Sequence, residues 1–270
     1  MAEAGGLYFE VHGDEDAPPL VLSSGLGGSA GYWAPNLAAF AERFRVIAYD
    51  HRGTGRSDRR PLARLSVEDM ARDVTALLDH LGVERAHFVG HALGGSIGMA
   101  LALEAPARLA RLAVINGWAR LEPHTARCFD ARVALLRGAG VEAYVRAQPI
   151  FLYPANWLTL HAAAFAAEEA ALVAQFPGAA TMEQRIAAAR AFDIADRLGE
   201  IVSPVLALSS GDDVLVPSIA SSRIVDRLPA GNVRTEYLMQ WGGHACNVTD
   251  PDTFNSVVPG WLADGAFPEN

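Results

Sequence analysis

The stretch Val89-Gly90-His91-Ala92-Leu93-Gly94-Gly95 follows a short apolar run and has the spacing G-x-S-x-G, with alanine where the serine belongs. In that pattern a strand turns sharply into a helix, and glycines stand where side chains would clash. The third residue then projects its side chain above the end of a sheet. Ala92 offers no lone pair there, so no acyl-enzyme can form on it. What this chain does therefore depends on which other reactive groups gather around that methyl.

Working outward, strand-like runs at 20–23, 45–49, 87–89, 112–115, 205–208 and 235–239 alternate with amphipathic helical stretches. Several runs are apolar throughout, as strands buried on both faces are. Ser66-Val67-Glu68-Asp69 reads as a capping box opening a helix that continues to Leu81 and stops at Gly82. This alternation predicts an α/β fold with a mostly parallel sheet flanked by helices, whose ligands collect at the carboxyl ends of the strands. One segment breaks the rhythm. Residues 119–196 are Ala-rich and helix-prone, punctuated by Pro149, Phe151, Tyr153, Pro154, Trp157 and Pro177, and far longer than a strand-to-helix connection needs. They read as a helical lid inserted into a core formed by 1–118 and 197–270; ordinary crossover helices are the rival reading.

Composition narrows the partners. The 270 residues, 51% hydrophobic and 20% charged, suffice for one large core with an insertion. A net charge of −9, from 22 basic and 31 acidic residues, argues against nucleic acid or an anionic membrane surface. Cys128 and Cys246 lie far apart and in no C-x-x-C pair, which suggests neither a disulfide framework nor a zinc site. The first residues lack a basic start followed by an apolar run, and no stretch has the ~18 apolar residues of a span. A cytoplasmic protein without metal or other cofactor is expected, with a homodimer as the default assembly.

Three further features share the strand-end positions. Gly211-Asp212-Asp213-Val214-Leu215-Val216-Pro217 follows a strand at once. Asp213 has the spacing expected of an orienting acid and Asp212 reads as a turn residue; the rival reading makes both turn formers. Gly242-Gly243-His244-Ala245-Cys246-Asn247 follows the last strand and sets a histidine between small residues, poised to swing into a cleft. A lone loop histidine is commonly just solvated, but the order elbow, acid, histidine is the one in which a triad on such a sheet is assembled. Cys246 reads as a small buried residue rather than a nucleophile. Ser23-Ser24-Gly25-Leu26-Gly27-Gly28-Ser29, after the first strong strand, can turn backbone amides inward. The Leu26 amide, with that of Leu93, is then a candidate oxyanion hole, and no phosphate-loop pattern competes.

Together with Tyr49-Asp50-His51-Arg52-Gly53-Thr54-Gly55-Arg56-Ser57, these segments resemble the α/β-hydrolase superfamily over nearly the whole chain. A narrower resemblance lies in Asn116-Gly117-Trp118, His124-Thr125-Ala126-Arg127-Cys128-Phe129, Ala147-Gln148-Pro149, Phe151-Leu152-Tyr153-Pro154-Ala155-Asn156-Trp157 and the histidine loop through Pro251. These are similar to the RutD hydrolases of bacterial uracil degradation. The resemblance implies a small-substrate hydrolase acting after ring opening on carbamate or on 3-aminoacrylate. It also implies that alanine at the elbow is native to the family.

The chemistry fits that implication. Carbamate falls apart once its nitrogen is protonated, and aminoacrylate hydrolyses once its enamine becomes an iminium, so both need a proton donor and acceptor rather than a serine. Asp213 would orient His244, and His244 would deliver a proton and activate water where the serine oxygen would have stood. The amides of Leu26 and Leu93 would hold the small anionic substrate, with Gly25 and His91 beside it. His91 is otherwise scaffold. Arg52 and Arg56 could attract an anion, with salt bridging inside their loop as the simpler role. Two readings of other classes stay open: a serine esterase or carbon–carbon bond hydrolase carrying a serine-to-alanine change at Ala92, and a non-catalytic binding protein on the same fold.

Overall fold

A computed structural model describes residues 2–60, 64–265 and 267. The outermost ends of the expected core, 1 and 268–270, fall outside it, as do 61–63. Eight strands form one sheet: β1 (Ala2–Ala4), β2 (Leu7–His12), β3 (Pro19–Ser23), β4 (Arg45–Tyr49), β5 (Ala86–His91), β6 (Leu109–Ile115), β7 (Val205–Ser210) and β8 (Arg234–Met239). Their order is β1-β2-β4-β3-β5-β6-β7-β8. The pairs from β4 to β8 are parallel, whereas β1 and β2 run antiparallel at one edge. This is the predicted mostly parallel α/β sheet. The hairpin of β1 and β2 was not among the sequence expectations, although buried Leu7 and Phe9 alternate with half-exposed Tyr8 and Glu10 as an edge strand requires.

The helices are α1 (Leu37–Ala41), α2 (Val67–His80), α3 (Leu93–Glu104), α4 (Pro123–Leu152), α5 (Ala155–Leu160), α6 (Ala162–Ala174), α7 (Ala179–Ala191), α8 (Ile219–Arg227), α9 (Cys246–Thr249) and α10 (Pro251–Asp264). The capping box at the start of α2 is present: Ser66 Oγ accepts from the Asp69 amide, and the Asp69 carboxylate accepts from the Ser66 amide. Each face of the sheet carries its own helices. Phe88, Leu112 and Val114 pack with Met70, Val74 and Leu77 of α2 and Ile97 of α3. On the other face Val89, Leu206 and Leu208 meet Phe40 of α1 and Phe254, Val258 and Trp261 of α10. The step from Phe88 to Val89 is the period-2 alternation of a strand buried on both sides.

Between β6 and β7 the chain makes α4 to α7. Helix α4 is broken at Gly140, whose φ of 85° is open to glycine. The two ends of this excursion meet: the Ile194 amide donates to the Ala119 carbonyl, and Arg120 pairs with Asp193. Among the described residues no helix is long and apolar enough to cross a membrane.

Strand register then gathers the loops that matter. Ser23 lies opposite Gly90, His91 opposite Ile115, Ile115 opposite Leu208, and Ser210 opposite Met239. The segments beginning at Ser24, Ala92, Asn116, Gly211 and Gln240 therefore leave the sheet side by side at its carboxyl edge.

Candidate active site

The elbow is tight enough to dictate its glycines. Ala92 has a φ of 51°, a strained value for an alanine, and its amide donates to the Ile115 carbonyl. A β-carbon on Gly90 would lie 2.2 Å from the Gly94 carbonyl oxygen, and one on Gly94 would lie 2.2 Å from that of Ser23. This close approach sets the start of α3 against the Ser23–Ser24 backbone. The Leu93 amide is the first of α3, without an intrahelical acceptor by position. The Leu26 amide has no acceptor among the described residues. Gly25 sits between them and the elbow side chains: a β-carbon on it would be 3.0 Å from His91 Nδ1 and 3.4 Å from Ala92 Cβ.

Asp213 and His244 meet. His244 Nδ1 and Asp213 Oδ2 are 2.8 Å apart, both side chains buried. The second carboxylate oxygen of Asp213 accepts from the Leu215 and Val216 amides at 2.7 and 2.9 Å, which fixes the carboxylate's rotation. With His244 Nδ1–H donating to Asp213, Nε2 carries a bare lone pair, and it has no partner among the described residues. A base held in one tautomer by a carboxylate is what water activation requires.

Several residues aim the histidine loop. Asp212 is more than a turn former: its Oδ1 accepts from the Gly243 amide at 2.8 Å and from Ser210 Oγ at 2.7 Å. Asn116, with a φ of 46°, donates through Nδ2 to the His244 carbonyl at 2.8 Å and accepts the Ser210 amide at 3.0 Å. Its role was not read from the sequence; the available signal was an asparagine before glycine at a strand end, a residue that tolerates positive φ. His91 donates through Nε2 to the same His244 carbonyl at 2.7 Å, and its ring lies between those of Tyr32 and His244 at 4.8 and 4.7 Å. Its Nδ1 is buried against Gly25 without a partner among the described residues. Cys246 is fully buried beside Asn116, and burial pushes its thiol well above the ordinary range, which removes it as a nucleophile. Arg52 pairs with Asp73, and Arg56 with Asp50 and Glu10, so both are committed within their own surroundings.

The excursion between β6 and β7 touches all three site loops. His124 and Thr125 donate to the Val214 and Leu215 carbonyls beside Asp213, at 2.7 and 2.9 Å. The Ala245 amide donates to the Leu152 carbonyl at 3.0 Å, and Pro154 packs against Gly243. From α7, Arg185 donates through Nε to the Leu26 carbonyl at 2.8 Å. Ala92 and His244 are 5% and 2% exposed. A cleft of about 690 Å³ opens elsewhere, between α4 and α7, but the salt-bridged pairs Arg137–Glu183 and Arg190–Asp130 line it and none of the site residues reaches it.

Two buried histidines make the fold acid-sensitive. Burial, reinforced by the charge of Arg185, holds His51 well below its ordinary pKa; burial and the charge of His244 do the same to His91. Below the unfolded value of 6.5 the unfolded chain binds protons that the native state refuses, so stability falls as pH falls from that point. Urea midpoints measured at pH 7.5, 6 and 5 are expected to fall monotonically, and replacing His91 with glutamine should flatten the decline.

The model of the α/β-hydrolase fold family matches residues 18–141. A RutD protein of Caulobacter segnis is 52% identical over 93% of this chain and 94% of its own length. One from Variovorax paradoxus is 50% identical over 97% and 98%. Both carry a proposed carbamate-hydrolase assignment in their names. Among solved structures, the enol-lactonase of Burkholderia xenovorans superposes with a TM-score of 0.86 at 26% identity, covering 97% of this chain and 99% of that one. A hydrolase from Pseudomonas aeruginosa gives 0.84 at 28% identity, covering 96% and 94%.

Proposed function

The chain belongs to the RutD family of α/β hydrolases, and from that premise we propose that it hydrolyses the C–N bond of a small anion of uracil degradation without a covalent intermediate. The substrate is carbamate, giving ammonia and bicarbonate, or 3-aminoacrylate, with release of ammonia. One observation carries this reading: a carboxylate-held histidine packs on the elbow through His91, and the third residue of that elbow is an alanine, so the base has water, not serine, to activate. An intact acid–histidine pair also disfavours a pure receptor, since ligand capture needs shape but no proton relay.

For carbamate, His244 Nε2 takes a proton from water as the oxygen adds to the carboxyl carbon, and returns it to nitrogen. The C–N bond then breaks with its electron pair on nitrogen, leaving ammonia and bicarbonate. For aminoacrylate, the protonated histidine delivers its proton to C2, forming the iminium at C3; water adds there, and the carbinolamine expels ammonia to leave 3-oxopropanoate. The Leu26 and Leu93 amides hold the substrate's negative oxygen, with Gly25 giving them access, and residues 119–196 serve as the lid that keeps bulk water out. His91 acts through the loop it braces. Ammonia release from freshly generated carbamate and from 3-aminoacrylate, each against its spontaneous rate, tests the reading. Acceleration of at least one is expected, and acceleration of neither overturns it.

A further inference from the structure

Arg185 is a buried cation without an anion. It lies on α7 with no exposed surface, and its hydrogen-bond partners are all neutral. Nε donates to the Leu26 carbonyl at 2.8 Å, while Nη2 donates to the Gly25 carbonyl at 3.4 Å and to His51 Nδ1 at 2.9 Å. The proton of His51 is on Nε2, toward Ser23 Oγ, so the histidine meets the guanidinium as a neutral acceptor. Nη1 has no partner among the described residues, and no carboxylate there pairs with the side chain. Burial lowers the guanidinium's pKa only to about 10, so it stays charged at neutral pH.

Most exposed arginines of this segment are paired instead. Arg120, Arg137, Arg146 and Arg190 each pair with a carboxylate. Arg132 on α4 repeats the pattern of Arg185: it is buried, bonded to Tyr144 Oη and Gln148, packed near the rings of Phe129 and Phe151, and without an acidic partner. An unpaired charge taken out of water is costly, and buried arginines are normally paired. In an acidic protein, with carboxylates in excess, two such arginines under one lid mark a place from which carboxylates are absent.

Arg185 is also placed to act on the oxyanion amides. The Gly25 carbonyl it touches belongs to the same peptide group as the Leu26 N–H. A cation on that oxygen polarises the group and makes the N–H a stronger donor.

We propose that Arg185 is the anion-recognition residue of the site: its guanidinium supplies the counter-charge for the carboxylate of a small substrate, with Nη1 donating to that carboxylate while Nε and Nη2 hold the Leu26 loop. Selection is then for charge. A small carboxylate is preferred over its neutral isostere. This deepens the reading above and rests on it for the position of the site, but not for the reaction.

The test uses acrylate and its neutral isostere acrylamide as probes, with binding to the full-length protein measured by ligand-observed NMR at low salt. The native protein is expected to bind acrylate at least about tenfold more tightly than acrylamide, the size of one charge-assisted hydrogen bond. Arg185→Met should bring the two together by weakening acrylate alone, and Arg185→Lys should keep part of the preference. A purely structural arginine would weaken both probes equally. Equal binding of the probes by the native protein overturns the proposal whatever the variants do, as does a preference retained in Arg185→Met. If Arg185→Met does not fold, the native comparison and Arg185→Lys decide. An anion preference without turnover of carbamate or aminoacrylate leaves this assignment standing and removes the reaction instead.

Discussion

Asp213→Asn is expected to lower the enzymatic rate of ammonia release by about 10²- to 10⁴-fold while leaving the protein folded. The amide oxygen of asparagine can keep the bonds from the Leu215 and Val216 amides that Asp213 Oδ1 now accepts. Its NH₂ group then faces His244 Nδ1 in place of Oδ2 and donates to it. The histidine proton moves to Nε2, and the lone pair that should take a proton from water is lost. The imidazole is also no longer stabilised as a cation once protonated. Steady-state ammonia release, with near-UV circular dichroism to establish the fold, reads the effect. A variant with the native rate would mean that the tautomer of His244 does not matter.

Ala92→Ser is expected to convert the site toward covalent chemistry. The elbow already holds its third residue at positive φ, a strain serine shares with alanine, and its glycines already clear the backbone around it. A hydroxyl there meets a carboxylate-held histidine and the two amides. Hydrolysis of p-nitrophenyl acetate should rise at least about 10³-fold over the alanine form, with a burst and an acetylated protein in quenched samples. Ammonia release should not rise in step, because water attack never used that oxygen. If the serine form gains no esterase activity and acquires no acetyl group, the base, the elbow and the amides are not arranged around one reacting carbon.

The parts of the molecule legible in the sequence are those whose cause is local. Glycines at 90 and 94 follow from backbone atoms a few residues away or on the adjacent strand, and the capping box at Ser66 closes within four residues. The parallel sheet was legible for a similar reason, because strands buried on both faces are apolar throughout. What escaped depends on contacts distant in the chain. Asn116 reaches the His244 carbonyl across 128 positions, and Arg185 reaches the Leu26 carbonyl across 159. In an alanine-rich helix an arginine reads as a solvated charge, and only tertiary packing shows it buried. Asp212 looked like a turn residue because its second partner, Gly243, lies on another strand's loop. The edge hairpin was missed although its alternation was present, because short half-buried strands carry a weak pattern.

The contacts made by residues 119–196 converge on the loops at the carboxyl edge of the sheet. His124, Thr125, Leu152 and Arg185 reach the acid, histidine and oxyanion loops from different parts of one excursion.

The central claim is that His244 performs the proton transfers and that no protein atom bonds to the substrate. Its most direct test is ammonia release from carbamate and 3-aminoacrylate by His244→Ala beside the native protein and a protein-free control. The account predicts that the variant still binds acrylate and releases ammonia only at the spontaneous rate. A His244→Ala protein that releases ammonia as fast as the native one would contradict it.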